Sequence, residues 1–401
     1  MKRTHQDIRR VNRFAVMRHV IASAPVARRD VATAVGLSMA TTADIVSELH
    51  ELRLVTEIGQ QESGGGRPRN LLAPDPDGPR FIGVDIAETY VHVEIFDPAL
   101  RVLVRSEEEL HPRHNPPEYV VDRIASGIHT VTAELGIPLD RVLGVGVSIP
   151  GQVRPDGRAS VFAANWNWRD VPLRDMLVER IPIPVYLDNP LRASTVAELW
   201  FGAARGLENV AVLTLGTGVG AGLAVRGAIY HGATNTAGEW GHTNLVIDGL
   251  QCRRGCVGCV EAYVGAPGIM QHLEQIDPKS PLLHSDNQTA TINALGTALT
   301  AGDPVAEQVI AATGRYLGIG IANLVNLFNP QIIVLTGWVA DRLGEHLIRH
   351  VRPIAARYAL DEPWEGTEIA LCPIDRNPVS LGAATLVMEG FLSEATASSR
   401  S

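Results

Sequence analysis

Three prolines within seven residues, in the run Ala73-Pro74-Asp75-Pro76-Asp77-Gly78-Pro79, divide this chain. Proline lacks an N–H donor and fixes φ near −65°, so neither a helix interior nor a central strand can run through such a stretch. The sequence therefore reads as a head over residues 1–72, a proline-rich linker at 73–80 and a much longer body. With 401 residues in all, the body needs more than one hydrophobic core. The division also separates charge. Residues 1–72 hold 11 Lys and Arg against 7 Asp and Glu, leaving 24 against 37 for the remainder of the chain. A basic head on an acidic body suggests that the head alone meets a polyanion, although an uneven balance also arises by chance.

No secretory leader is read at the start, because Met1-Lys2-Arg3 is followed by polar residues. The longest uncharged apolar stretch, Val210 to Val225, contains four glycines and reads as strand, loop and strand, not as a membrane span. A cytoplasmic location is expected. Of the four cysteines, Cys252, Cys256 and Cys259 fall within eight residues, which in a reducing compartment points to metal.

Within the head, Ile8, Val11, Phe14, Ala15, Val20 and Ile21 fall near one stripe of a helix that Pro25 ends. A short helix follows from Arg28 to Val35, with Gly36 as its stop. Ser38 then caps a third helix reaching about Leu52. Two short helices joined through a glycine turn form the helix-turn-helix pattern. Ile45, Val46 and Leu49 would bury the recognition helix, while its exposed start, Met39, Ala40, Thr41, Ala43 and Asp44, would meet DNA together with Ser38. A strand at Leu54–Gly59, a glycine-rich turn and Arg67-Pro68-Arg69 complete a hairpin wing, whose arginines suit phosphates or a narrow minor groove. Arg28 and Arg29 suit the DNA backbone. One such head binds weakly, so a homodimer or tetramer on an inverted-repeat, double-stranded operator is expected. A solvated hairpin that merely packs a small helical domain is the alternative.

The body alternates strands and helices: strands at 80–86, 91–96, 142–149, 185–188, 210–215, 222–225 and 332–335, helices at 119–135 and from 191. This pattern implies two α/β lobes with a cleft between them.

In this order of motifs the head resembles the DNA-binding part of ROK-family (repressor, ORF, kinase) regulators. Residues 81–390 resemble the family's sugar-kinase body, which implies an α/β two-lobed actin/hexokinase-like (ribonuclease H-like) fold behind an N-terminal winged helix-turn-helix. The lobes are expected at 81–190 and 191–392, with a disordered tail at 393–401. The resemblance implies a phosphate loop at Leu215–Gly222, where glycines let backbone N–H groups approach an anion. It implies sugar contacts from Glu239, His242, Glu261, Asn165 and Asn189; a carboxylate can accept from two vicinal hydroxyls at once. It also implies structural zinc. The family's second cysteine position holds Arg254 here, and Cys256 lies two residues later, so the expected tetrahedral set is His242, Cys252, Cys256 and Cys259.

Against the family's kinase pattern the chain departs in three places. Asp85-Ile86-Ala87-Glu88-Thr89 puts a methyl and a carboxylate where two glycines admit ATP phosphates. Asp188-Asn189-Pro190 puts proline where an aspartate acts as general base, a loss that commonly costs about 100- to 10,000-fold in rate. Leu335-Thr336-Gly337-Trp338 puts an indole where the nucleotide side carries glycine. The expectation is a sugar-responsive DNA-binding repressor that is not an enzyme, with a sugar or sugar derivative as effector. The alternatives are an active sugar kinase with an appended DNA reader, and a constitutive DNA-binding protein. Asp188, two residues from the lost base, could substitute for it, although its reach would differ.

Overall fold

The computed structural model describes residues 5–61, 69–111, 114–161 and 166–398. The head contains α1 (His5–Ser23), β1 (Val26–Ala27), α2 (Arg28–Val35), α3 (Met39–Glu51), β2 (Val55–Gln61) and β3 (Arg69–Pro74). The strands form an antiparallel sheet in the order β1-β3-β2, with Val26 opposite Leu72. Gly36 ends α2 in the left-handed region (φ 67°), and the Leu37 N–H returns to the Ala32 carbonyl at 3.0 Å. Ser38 caps α3 by accepting from the Thr41 N–H at 3.1 Å. Val16, Met17, Val20, Val31, Ile45, Val46, Leu49, Leu54 and Leu72 are fully or almost fully buried. Full burial of each such side chain favours folding by about 1.5–3 kcal/mol.

The stripe expected on α1 is shifted. Ile8 and Val11 are nearly half exposed, whereas Arg13 is buried. The reason is polar: Arg13 donates through Nε to Glu48 on α3 at 2.6 Å and through Nη1 to the Leu392 carbonyl at 3.1 Å. Periodicity that counts only apolar residues cannot see a buried guanidinium whose donors are met.

The linker is partly built into regular structure. Ala73 and Pro74 belong to β3, and the next strand begins at Arg80. Between them lies a closed turn, in which Gly78 N–H reaches Asp75 O at 3.1 Å and Asp75 N–H reaches Leu54 O at 3.0 Å. The prolines bend the chain without loosening it.

The next elements are β4 (Arg80–Ile86), β5 (Tyr90–Phe96), β6 (Val102–Glu109), α4 (Pro117–Leu135), β7 (Val142–Ser148), the short pair β8 (Gln152–Val153) and β9 (Ala159–Ser160), α5 (Leu173–Arg180), β10 (Val185–Asp188) and α6 (Pro190–Phe201). They build a five-stranded sheet ordered β10-β7-β4-β5-β6, parallel in its first half and antiparallel in its second. A second sheet repeats this plan with β11 (Val210–Leu215), β12 (Val219–Val225), β13 (Ala228–Ile229), β14 (Ile332–Thr336) and β15 (Glu368–Leu371), in the order β13-β12-β11-β14-β15. Helices α7 (Glu261–Val264), α8 (Ala266–Ile276), α9 (Gln288–Thr300), α10 (Pro304–Phe328), α11 (Trp338–Tyr358) and α12 (Asp361–Glu365) share its core. The expected phosphate loop is shorter than read, because the strand resumes at Val219.

The last helix, α13 (Pro378–Ser398), returns to the first sheet. A Cβ at Gly83 on β4 would collide with the Ser380 carbonyl, and one at Gly146 on β7 with that of Ala383, so glycine is what lets the helix backbone approach the strands. Two compact units result: residues 1–193 with 376–401, and residues 194–375. Assigning 191–392 to one lobe therefore misplaced α13. The tail expected to be disordered from 393 is helical through Ser398. No helix among the described residues is long and apolar enough to cross a membrane.

Candidate functional site

On the head, the residues expected to meet DNA fall into three groups. Met39 and Asp44 at the start of α3 are exposed, as are Arg29 and Arg69. Ser38 and Thr41 are engaged with each other, their hydroxyl oxygens 2.8 Å apart in the cap. Arg28 pairs with Glu57 on β2 at 2.6 Å, and the other Glu57 oxygen accepts from Asn70 at 2.6 Å. Arg28 is thus tied to the hairpin. Arg67 lies outside the described residues.

In the first unit the corner after β4 is filled from within. Asp85 is buried and accepts from Asn377 Nδ2 at 2.9 Å. Burial raises its carboxyl above the usual range, against the opposing hydrogen bond from Asn377. Glu94, also buried, accepts from Ser380 on α13. After β10, Pro190 opens α6 at a position where its missing N–H costs nothing. Asp188 is ion-paired with Arg192 through both guanidinium Nε and Nη2, and both side chains are buried. Asn189 accepts from the Arg192 N–H at 3.0 Å through its side-chain oxygen. Asn165 lies outside the described residues.

In the second unit Glu239, Trp240, Gly241 and His242 form one helical turn after β13. The Trp240 indole donates to the Gly320 carbonyl of α10 at 3.1 Å and pins that turn. His242 Nε2 faces Glu239 Oε2 at 3.8 Å, and its Nδ1 faces Cys252 Sγ at 3.8 Å. One imidazole therefore joins the carboxylate to the cysteine loop. The ligand atoms of His242, Cys252 and Cys256 all lie within 4.8 Å of one another. In a tetrahedral zinc site with ordinary bond lengths, N and S ligand atoms stand about 3.6 Å apart, so these three fit a metal. The loop is shaped by Gly255 and Gly258, both in the left-handed region, and Cys252 N–H closes on Cys256 O at 2.8 Å.

Cys259 stands outside this three-atom group. Its thiol is buried and interacts with Cys252, and burial first, then that neighbour, push it up to about 11, against a backbone hydrogen bond from Ala262. Glu261 opens α7, and its Oε2 accepts from Val219 N–H at 3.1 Å. The glycine turn that should cradle phosphate thus already holds a carboxylate. Its Gly216 N–H is turned onto Gly218 O at 3.1 Å. The Trp338 indole also packs there: a Cβ on Gly216 would lie 3.0 Å from Trp338 Nε1.

Three features escaped the sequence reading. Arg192 follows Asp188 by four residues, but Asp188 ends β10 and Arg192 lies on α6, so no helical periodicity announces the pair. The indoles of Trp166 and Trp168, 5.1 Å apart, border a cavity in the first unit. Arg13 carried no signal beyond its charge.

Comparison with known proteins adds the following. The ROK family profile matches residues 81–389. The xylose repressor of Bacillus subtilis is 26% identical over 385 residues, covering 96% of this chain and 97% of its own. A glucokinase of Halalkalibacterium halodurans is 30% identical over 325 residues, covering 77% of this chain and 95% of its own. The crystal structure of a ROK family transcriptional regulator, a homologue of the E. coli MLC protein, superimposes with a TM-score of 0.79 at 24% identity, covering 96% of this chain and 97% of that one.

Proposed function

The chain belongs to the ROK family, and from that premise we propose that it is a sugar-responsive, DNA-binding transcriptional repressor that does not phosphorylate its ligand. The family is shared by repressors and kinases, so the choice rests on the site. The observation that carries it is Asp188: this carboxylate, two residues before the lost base position, is paired with a buried arginine. A carboxylate engaged in that pair does not replace a base at position 190. Trp338 against Gly216 and Glu261 on the Val219 N–H support the same reading from the nucleotide side. The similarity to the xylose repressor covers 96% of this chain, whereas the similarity to the glucokinase covers 77%.

In this reading residues 1–72 are a winged helix-turn-helix. Met39, Asp44, Arg29 and Arg69 meet DNA directly, with Arg67 as the wing's second cation. Ser38, Thr41 and Arg28 hold the reading surface in shape. A homodimer or higher oligomer engages an inverted repeat. Glu239, His242, Glu261, Asn189 and Asn165 are the residues assigned to sugar hydroxyls. Zinc is held by His242, Cys252 and Cys256, with Cys259 as the fourth ligand beside Cys252. Its part is structural: it fixes the tautomer and orientation of His242, so that Nε2 faces outward beside Glu239.

The glucokinase relationship favours one competing reading, an active sugar kinase carrying a DNA reader. A coupled ADP-release assay over a sugar panel decides between them. The proposal expects release at the level of ATP alone for every sugar; sugar-dependent turnover overturns it.

A further inference from the structure

We propose that α3 reads its half-site through thymine methyl groups and one cytosine amino group, with no bidentate contact to a purine; this rests on the DNA-binding reading above. The helix buries Thr42, Ile45, Val46 and Leu49. At 3.6 residues per turn, Met39, Ala40, Ala43, Asp44 and Ser47 then fall on the opposite face. Met39 is half exposed, Ala40, Asp44 and Ser47 are exposed, and Ala43 is partly so. The first turns of a recognition helix are the part that meets base edges in the major groove.

The chemistry of this face is restrictive. Guanine is read in the major groove by Arg or Lys on O6 and N7, and adenine by Asn or Gln on N6 and N7. None of these residue types occurs in α3. Hydroxyls could take their place, but the cap already engages two of them. Ser38 Oγ accepts from the Thr41 N–H at 3.1 Å, and the two hydroxyl oxygens lie 2.8 Å apart. Thr42 is fully buried. Ser47 both donates and accepts, so it discriminates little between bases. What remains is apolar at Met39, Ala40 and Ala43 and anionic at Asp44. Thymine alone presents a methyl group in the major groove, and small apolar side chains fit it. Alanine lets the helix approach that methyl closely, and the unbranched Met39 adapts to a second one. The Asp44 carboxylate accepts and cannot donate. It therefore selects cytosine, whose N4 amino group donates with no acceptor beside it on the same base, and it is repelled by N7 of either purine.

The test uses the full chain without sugar. A tight-binding duplex is selected from a random library, and each of its thymines is replaced in turn by uracil, with affinity read by anisotropy. Uracil lacks only the methyl group, which lies in the major groove, so wing contacts to the minor groove are kept. At least one thymine per half-site is expected to lose about four-fold on replacement, the worth of one buried methyl. The double variant Met39→Ser, Ala40→Ser changes two exposed side chains and is expected to bring that loss below about two-fold at one or more positions. Selection repeated with Asp44→Asn is expected to exchange a cytosine for adenine, because an amide pairs with N6 and N7. Removing the charge alone would tighten binding to all duplexes alike and change no base. Uracil tolerated within about two-fold at every thymine, or a loss that the double variant leaves unchanged, overturns the methyl reading. The same base selected by Asp44→Asn and its parent at every position overturns the cytosine contact. Selection that enriches no sequence overturns the DNA-binding reading itself, and this proposal with it.

Discussion

Replacing Asp188 by asparagine separates a structural ion pair from a catalytic base. Asp188 and Arg192 are 8% and 2% exposed, and the carboxylate oxygen meets two guanidinium nitrogens. Taking one partner from a buried pair typically costs 3–5 kcal/mol, because the remaining charge keeps its desolvation penalty. The amide retains an oxygen that can accept from the arginine, so the low end applies, about 3 kcal/mol. With a urea m-value near 3 kcal/mol/M for a unit of this size, the unfolding midpoint of Asp188→Asn falls by about 1 M. The assay is urea denaturation followed by far-UV circular dichroism, run beside ADP release on both proteins. A midpoint within about 0.3 M of the parent refutes the pairing argument. Sugar-dependent turnover in the parent that drops by 100-fold or more in the variant would return Asp188 to the role of base.

Gly258→Ala and Cys252→Ser should each lower the zinc content of purified protein from about one per chain toward none, measured by elemental analysis. In the first case φ is 73° and a Cβ would strike the Val246 carbonyl; in the second a ligand is gone. Arg29→Ala and Arg69→Ala should weaken binding to specific and random duplexes alike and reduce the slope of log K against log salt by about 1 each, read by anisotropy at several salt concentrations. Glu198→Gln should stabilise the second unit at pH 8 and give no gain near pH 4. Burial raises the Glu198 carboxyl above its ordinary 4.5, against hydrogen bonds from Cys372, Ala203 and Ala204, so the acid form is the one the fold prefers. Its stability contribution is complete below the unfolded value and lost as pH rises through the folded one, and thermal melts across that range should show it.

Most of the backbone was legible because its signals are local. Gly36 and Ser38 punctuate α2 and α3 by conformations and hydrogen bonds that depend on neighbouring residues alone, and the strands 80–86, 185–188 and 210–215 fall where apolar runs put them. What escaped was set by contacts distant in sequence. Nothing near Arg13 announces Glu48 and Leu392, 35 and 379 residues away. Nothing local says that α13 crosses back to lie on Gly83 and Gly146. The proline run marks a linker because proline excludes regular structure; whether the resulting turn is loose or closed depends on its hydrogen bonds to Leu54 and within itself. In the metal loop, spacing located the cysteines, and the fold decided that His242, Cys252 and Cys256 converge while Cys259 stays against Cys252. Trp166 gave no signal of its own, since a tryptophan in a loop reads as packing until a cavity is seen beside it.

The central claim is that sugar binding is read out as a change in grip on DNA. Fluorescence anisotropy of a labelled duplex from the region upstream of the chain's own gene, titrated with the full protein with and without each sugar, tests it most directly. The expected result is sequence-specific binding that one saccharide weakens at least about ten-fold. A dissociation constant that no saccharide moves, or one no tighter than for a random duplex, contradicts it.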